Sequence, residues 1–263
     1  MEDYRGRLIL YILCGLFFAY IVLPIFIVIP ISFSSSSYLK FPPESFSLRW
    51  YKNYIHKEAW TSATWLSFKV ALLTSVFTTL LALPTSFALV RYKFPGRDLL
   101  FAFIVSPLVI PTIIIAIGIY FLYAAFKMIG SFPGLVIAHS LVALPVVVVV
   151  LTASLKGVDV NLEHAAMNLG ANPFRTFKEV TLPLVRPAVI SGALFAFIMS
   201  FDELIITMFI CGSTMTLPKR MWDSVREEID PTIASISTML ILLSLILLLT
   251  VEFLRKKLAT RRG

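Results

Sequence analysis

Six stretches of this chain, at residues 8–31, 61–90, 99–126, 132–155, 188–211 and 233–254, are almost free of charge and long enough to cross a lipid bilayer. A membrane helix needs ~20 such residues, and few other structures can use so many apolar runs of that length. Inside hydrocarbon the backbone must satisfy its own N–H and C=O groups, so each run is expected to be helical. Composition agrees. Hydrophobic residues make up 58% of the chain and charged residues 14%, whereas soluble domains sit near one half and about one quarter. The expected architecture is a single all-α integral membrane domain, residues 1–263, with six transmembrane helices. No cleavable signal peptide is expected. The first run exceeds a signal core, and no small-residue cleavage site follows it.

The net charge of +8 would point to nucleic acid in a soluble protein. Here the cations cluster at the ends of the apolar runs, as the positive-inside rule requires, and no nucleic-acid partner is expected. With the N-terminus inside, fourteen Lys and Arg fall on the cytoplasmic side (Arg5, Arg7, Arg91, Lys93, Arg97, Lys156, Arg175, Lys178, Arg186, Arg255, Lys256, Lys257, Arg261 and Arg262) and nine outside. Both termini therefore read as cytoplasmic. Cys14 and Cys211 fall near opposite membrane faces, which argues against a disulfide.

Three water-facing segments remain. The outer segment 32–60 contains Phe46-Ser47-Leu48-Arg49-Trp50-Tyr51, which reads as an amphipathic interfacial helix. A second outer segment, 212–232, mixes both signs of charge. The inner segment, 156–187, is more specific. From Leu162 to Leu169 it is rich in helix formers, Gly170 is a natural terminator, and Pro173 prevents simple continuation. Arg175, Lys178 and Glu179 follow, and Leu182-Pro183 and Arg186-Pro187 then turn the chain back toward the membrane. A short, rigid helix with a small-residue face suits a groove on a partner protein.

Glu163-His164-Ala165-Ala166, Gly170, and then Val180, Leu182 and Pro183 stand at a spacing that resembles the EAA loop of ABC-importer permeases. The resemblance implies the type I importer fold, with this loop, between the fourth and fifth spans, as a cytoplasmic coupling helix seated in a cleft of the ATPase. The coupling candidates are Glu163, His164, Ala165, Ala166, Gly170, Pro173, Arg175, Leu182 and Pro183. One position departs from the pattern. The family's acidic residue lies six before the glycine, where this chain has His164, and Glu163 is one residue earlier. One residue is ~100° around a helix, so Glu163 and His164 stand as alternatives for the ATPase contact.

Ser200-Phe201-Asp202-Glu203, in the outer half of the fifth span, is the second constellation. Each ionisable residue in a span costs roughly 2.5–3.5 kcal/mol on insertion scales, so such groups face a cavity or a partner helix. These four are candidates for a substrate path, and a carboxylate there suits a cationic or amine-bearing solute. Together with Thr216-Leu217-Pro218, Phe46-Ser47-Leu48-Arg49-Trp50-Tyr51, His139 and Leu144-Pro145, they are similar to permease subunits of spermidine/putrescine importers. A polyamine fits best by that resemblance; an opine, an amino-acid-like amine, a phosphonate or iron are alternatives. The implied partners are two cytoplasmic ATPase subunits, a homologous permease subunit and a periplasmic substrate-binding protein. The setting is the bilayer of a bacterial inner membrane, with ATP and Mg on the partners and no cofactor on this chain.

Other chemistry finds little support. The chain has no P-loop motif and no nucleophile elbow, so no catalytic residue is expected. His56 and His139 belong to no metal-spaced cluster, and His139 reads as a helix–helix hydrogen-bonder. Two rival classes are a channel or secondary transporter working without ATPase partners, and a membrane enzyme. The first needs an ionisable relay through several spans; the second needs clustered catalytic groups. The sequence offers neither.

Overall fold

The computed structural model describes residues 4–227 and 229–260. Glu228, Arg261 and Arg262 lie outside them. The described residues are helical almost throughout, with a lone bridge between Ser34 and Phe46. The order is α1 (Tyr4–Ser32), α2 (Arg49–His56), α3 (Glu58–Arg91), α4 (Arg97–Val105), α5 (Thr112–Ala125), α6 (Phe132–Lys156), α7 (Val160–Asn168), α8 (Pro173–Thr176), α9 (Leu182–Phe201), α10 (Ile205–Ile210), α11 (Leu217–Glu227) and α12 (Thr232–Thr260). Among the described residues, four helical stretches are long and apolar enough to cross a membrane: Gly6–Ser32, Glu58–Arg91, Phe132–Lys156 and Pro173–Phe201.

The chain forms two compact units. One comprises the residues up to Thr61 with Met221–Leu254. In it α1 leaves its apolar side chains exposed, as befits a helix surrounded by lipid or another chain. The amphipathic helix of the outer segment begins at Arg49, later than its aromatic pattern alone suggests. Trp50 is buried, and its Nε1 donates to Ser36 O at 3.2 Å. Asn53 Nδ2 donates to Thr232 Oγ1 at 2.6 Å, which fixes α2 to the start of α12.

The second unit, Ser62–Arg220, carries both sequence-predicted sites. Its central helix is α6, which packs most extensively along α9. Two apolar clusters hold it. One gathers Val70, Ile119, Tyr123, Leu135, Ile206 and Ile210. The other gathers Ala82, Leu89, Val147, Val148, Leu151 and Ala196. Between α6 and α9 the approach is close enough that a Cβ on Gly192 would sit 3.0 Å from a Val147 methyl.

Two expected spans are not single straight helices. In the third, α4 passes through a 3₁₀ turn at Ser106–Leu108 and meets α5 at a bend of 101°. Pro111 lacks an N–H and adopts an extended backbone (φ −53°, ψ 127°), so the helix cannot continue through it. Hydropathy is blind to this bend because the break is itself apolar. In the fifth, the helix starts well before residue 188, stops at Phe201, and resumes as α10. Pro183 and Pro187 do not break it, contrary to expectation. A π-turn over Phe177–Thr181 just before Pro183 adjusts the hydrogen-bond ladder around the missing N–H.

Candidate functional site

The loop between α6 and α9 is shaped by local chemistry. Asp159 caps α7, its Oδ1 accepting from Asn161 N at 2.9 Å. Gly170 ends it with φ +91°, a conformation that favours glycine, and nothing lies within 4 Å of where a Cβ would be. The backbone alone requires glycine here. Ala171 N donates to Ala166 O at 3.1 Å and closes the terminus. Asn172 then caps α8, accepting from Arg175 N at 2.8 Å, with Pro173 at the first turn. Arg175 forms an exposed pair with Glu179 at 3.1 Å.

The outer face of this loop is apolar and unprotected. Leu169 is 90% exposed and Phe174 75%, and His164 and Ala165 are exposed beside them. Glu163 faces the other way, and is 6% exposed. Arg91 Nε donates to Oε1 and Oε2, both at 3.0 Å, and Nη2 donates to Oε1 at 2.8 Å. Thr181 Oγ1 adds a bond to Oε1 at 2.9 Å. Arg91 Nη2 also reaches Val158 O at 3.1 Å, in the linker before α7.

One carboxylate therefore joins three elements: the end of α3, the loop helix α7, and the π-turn that leads into α9. Two guanidinium nitrogens reach the carboxylate, both of them at Oε1, and such charge-assisted bonds are stronger than neutral ones. Removing one partner of a buried pair costs about 3–5 kcal/mol, because the other charge is left stranded. Of the two alternatives for an outward contact, His164 is the exposed one. The side chain of Glu163 is already fully engaged within the chain. Sequence reasoning missed Arg91 and Thr181. Arg91 counted only as one more cation at the end of a span.

The second constellation lies at a break, not inside a continuous helix. Asp202 follows the last residue of α9, is exposed, and has no ion pair among the described residues. Glu203 turns back, its Oε1 accepting from Ile206 N at 2.9 Å, so it satisfies a free N–H at the start of α10. The two carboxylates do different things, and the reason is the break itself rather than their separation around a helix. Phe201 stacks on Phe197 with centroids 5.8 Å apart. Ser200 is buried against His139.

His139 spans this break. It is 1% exposed. Its Nδ1 lies 2.9 Å from Ser200 Oγ, and its Nε2 lies 3.1 Å from Thr207 Oγ1. One ring on α6 thus holds the last turn of α9 and the first of α10. The hydrogen-bonding role expected of His139 is met, and Thr207, which the sequence did not single out, is its second partner. Among the described residues no cluster of three metal-ligating side chains occurs.

Comparison with known proteins follows the same lines. Residues 79–262 match the family described as the binding-protein-dependent transport system inner membrane component. The chain is 30% identical over 240 residues to the spermidine/putrescine transport system permease protein PotC of Escherichia coli (strain K12), covering 91% of this chain and 90% of that protein. It is 32% identical over 232 residues to the putrescine transport system permease protein PotI of the same organism, covering 85% and 82%. The molybdenum transport system permease protein ModB of Haemophilus influenzae is 34% identical over 221 residues, covering 77% of this chain and 96% of that one. Among solved structures, the fold is shared with a chain of a bacterial ABC transporter involved in the import of the acidic polysaccharide alginate. The TM-score there is 0.76, at 15% identity, over 95% of this chain and 96% of the other.

Proposed function

We propose a working mechanism from one premise: the chain belongs to the family of binding-protein-dependent transport system inner membrane components. It is a multi-pass permease subunit of a bacterial inner-membrane ABC importer, a subunit type that works with an ATPase and a substrate-binding protein. The finer reading is that two cytoplasmic ATPase subunits, carrying ATP and Mg, drive this chain paired with a homologous permease. A periplasmic binding protein delivers the solute. Both termini lie in the cytoplasm.

The observation that carries the mechanism is the two-sided loop. Its outer face, with Leu169, Phe174 and His164, suits the ATPase cleft; its inner face is pinned through Glu163 to α3 and to the root of α9. Closure of the ATPases on ATP displaces α7. The Arg91–Glu163–Thr181 junction passes that displacement to two spans at once, and the membrane helices rock between inward- and outward-open states. Gly170 and Pro173 keep the loop stiff, Ala165 and Ala166 keep its face flat, and Leu182-Pro183 forms the root of α9.

Ser200, Phe201, Asp202 and Glu203 are assigned to the substrate path, with Asp202 as the exposed carboxylate. The solute is a small amine, a polyamine first. This choice rests on Asp202 and on the names of PotC and PotI. ModB, with similar identity, is named for molybdenum, so identity alone does not rank substrates. The test is purification of the tagged chain from its native membrane in mild detergent, followed by reconstitution. The expected result is co-purification of an ATPase and a second permease, with ATP-dependent uptake of spermidine or putrescine. Recovery of the chain alone, active in liposomes without ATP, contradicts the mechanism.

A further inference from the structure

At the membrane end that carries the coupling loop, two adjoining recesses of about 350 and 150 Å³ share Arg97 and Asp98. The larger opens by Lys93. The smaller is lined by Leu89, Val90 and Phe101 on its apolar side and by Thr152 and Lys156 on its polar side. Thr152 is unusual. Its side chain is 93% buried and its hydroxyl has no hydrogen-bond partner. A Thr in a helix can bond the carbonyl one turn back, and a buried hydroxyl left unmade costs free energy. Thr152 belongs to the wall of a recess that Arg97 and Lys156 also line. Among the described residues neither Lys93 nor Lys156 has an ion pair. Arg97 pairs with its neighbour Asp98 at 3.1 Å, and that carboxylate is 90% exposed, turned to water.

We infer that this recess is a binding site for the phosphate of an anionic phospholipid. The chemistry is two-sided in the way a lipid headgroup is. Lys156 and Arg97 face the phosphate, Thr152 donates to it, and Leu89, Val90 and Phe101 line the way for the start of an acyl chain. Basic recesses between spans at the inner membrane surface suit such headgroups. A free phosphate would use the cations and the hydroxyl but not the apolar wall. The site joins α3, α4 and α6, and its Val90 directly precedes Arg91. A lipid seated there would brace the same end of α3 that the coupling junction holds. The inference needs only the membrane fold, not the assignment of the coupling loop.

The test is native mass spectrometry of the intact detergent-purified transporter, titrated with phosphatidylglycerol or with phosphatidylcholine. The wild type is expected to retain phosphatidylglycerol in preference. Lys156→Gln with Arg97→Gln is expected to weaken that retention at least about fivefold. Thr152→Val, which keeps shape and removes the hydroxyl, is expected to weaken it about threefold, with assembly unchanged. Equal retention of the two lipids, unchanged retention in both variants, or displacement by inorganic phosphate at equal concentration would each overturn the assignment.

Discussion

The two ends of α9 are fastened differently. At the loop end, one carboxylate meets a guanidinium and a hydroxyl, and the junction is charged, buried and saturated. At the other end, the helix stops at Phe201, the His139 imidazole ties the stump to the next short helix, and Asp202 is left exposed. The first arrangement resists being pulled apart, since separation strands a buried charge. The second is held by side-chain hydrogen bonds with no ion pair among them, each worth about 0.5–1.5 kcal/mol net. Under the proposed mechanism, a firm joint at the loop and a weaker one at the assigned substrate path is what a lever-driven gate requires.

Substitutions can break or sharpen this contrast. The largest effect is expected from Gly170→Pro. Proline holds φ near −65°, against +91° here, so the loop surface is lost and transport should fall by about 100-fold, more than 2 kcal/mol of coupling. ATP-driven uptake in proteoliposomes measures it. Next comes Glu163→Leu, which strands Arg91 and should cost about 3–5 kcal/mol of local stability, seen as a lower melting temperature of the detergent-purified complex. Glu163→Gln keeps the shape and should cost less. At the weaker joint His139→Leu removes two side-chain hydrogen bonds and should cost about 1–3 kcal/mol. A loss equal to that of Glu163→Leu would erase the contrast between the ends. Asp202→Asn should leave folding intact and weaken uptake of a dication about tenfold, as expected for loss of a ~1.4 kcal/mol charge contact. The smallest effect is expected from His164→Ala, within about threefold on uptake, because Leu169 and Phe174 supply the larger apolar part of the docking face and remain in place.

The comparison also marks what the sequence can and cannot carry. Helical spans are legible because length and hydropathy are local properties. Gly170 is legible for the same reason: a helix of good formers ending in glycine and then proline has one natural stopping point. The bend at Pro111 is hidden because the residues around it are as apolar as the helices they separate. The continuity of the fifth span through Pro183 is hidden because a π-turn, which no composition signals, absorbs the proline. Glu163 is the sharpest case. Its neighbours mark a short helix closed by Gly170, but its direction is set by Arg91, 72 residues away in sequence. Likewise His139 gains its meaning from Ser200 and Thr207, 61 and 68 residues distant. Long-range partners decide which polar residue works and which side it faces.

The central claim is that motion of the loop enters the membrane through the Arg91–Glu163 junction. The most direct measurement is the ratio of solute moved to ATP hydrolysed in proteoliposomes, for Glu163→Arg, Arg91→Glu and the double charge swap. The account predicts that each single variant still hydrolyses ATP but moves little solute, and that the swap restores part of the ratio. Singles that keep the wild-type ratio, or a swap no better than either single, would contradict it.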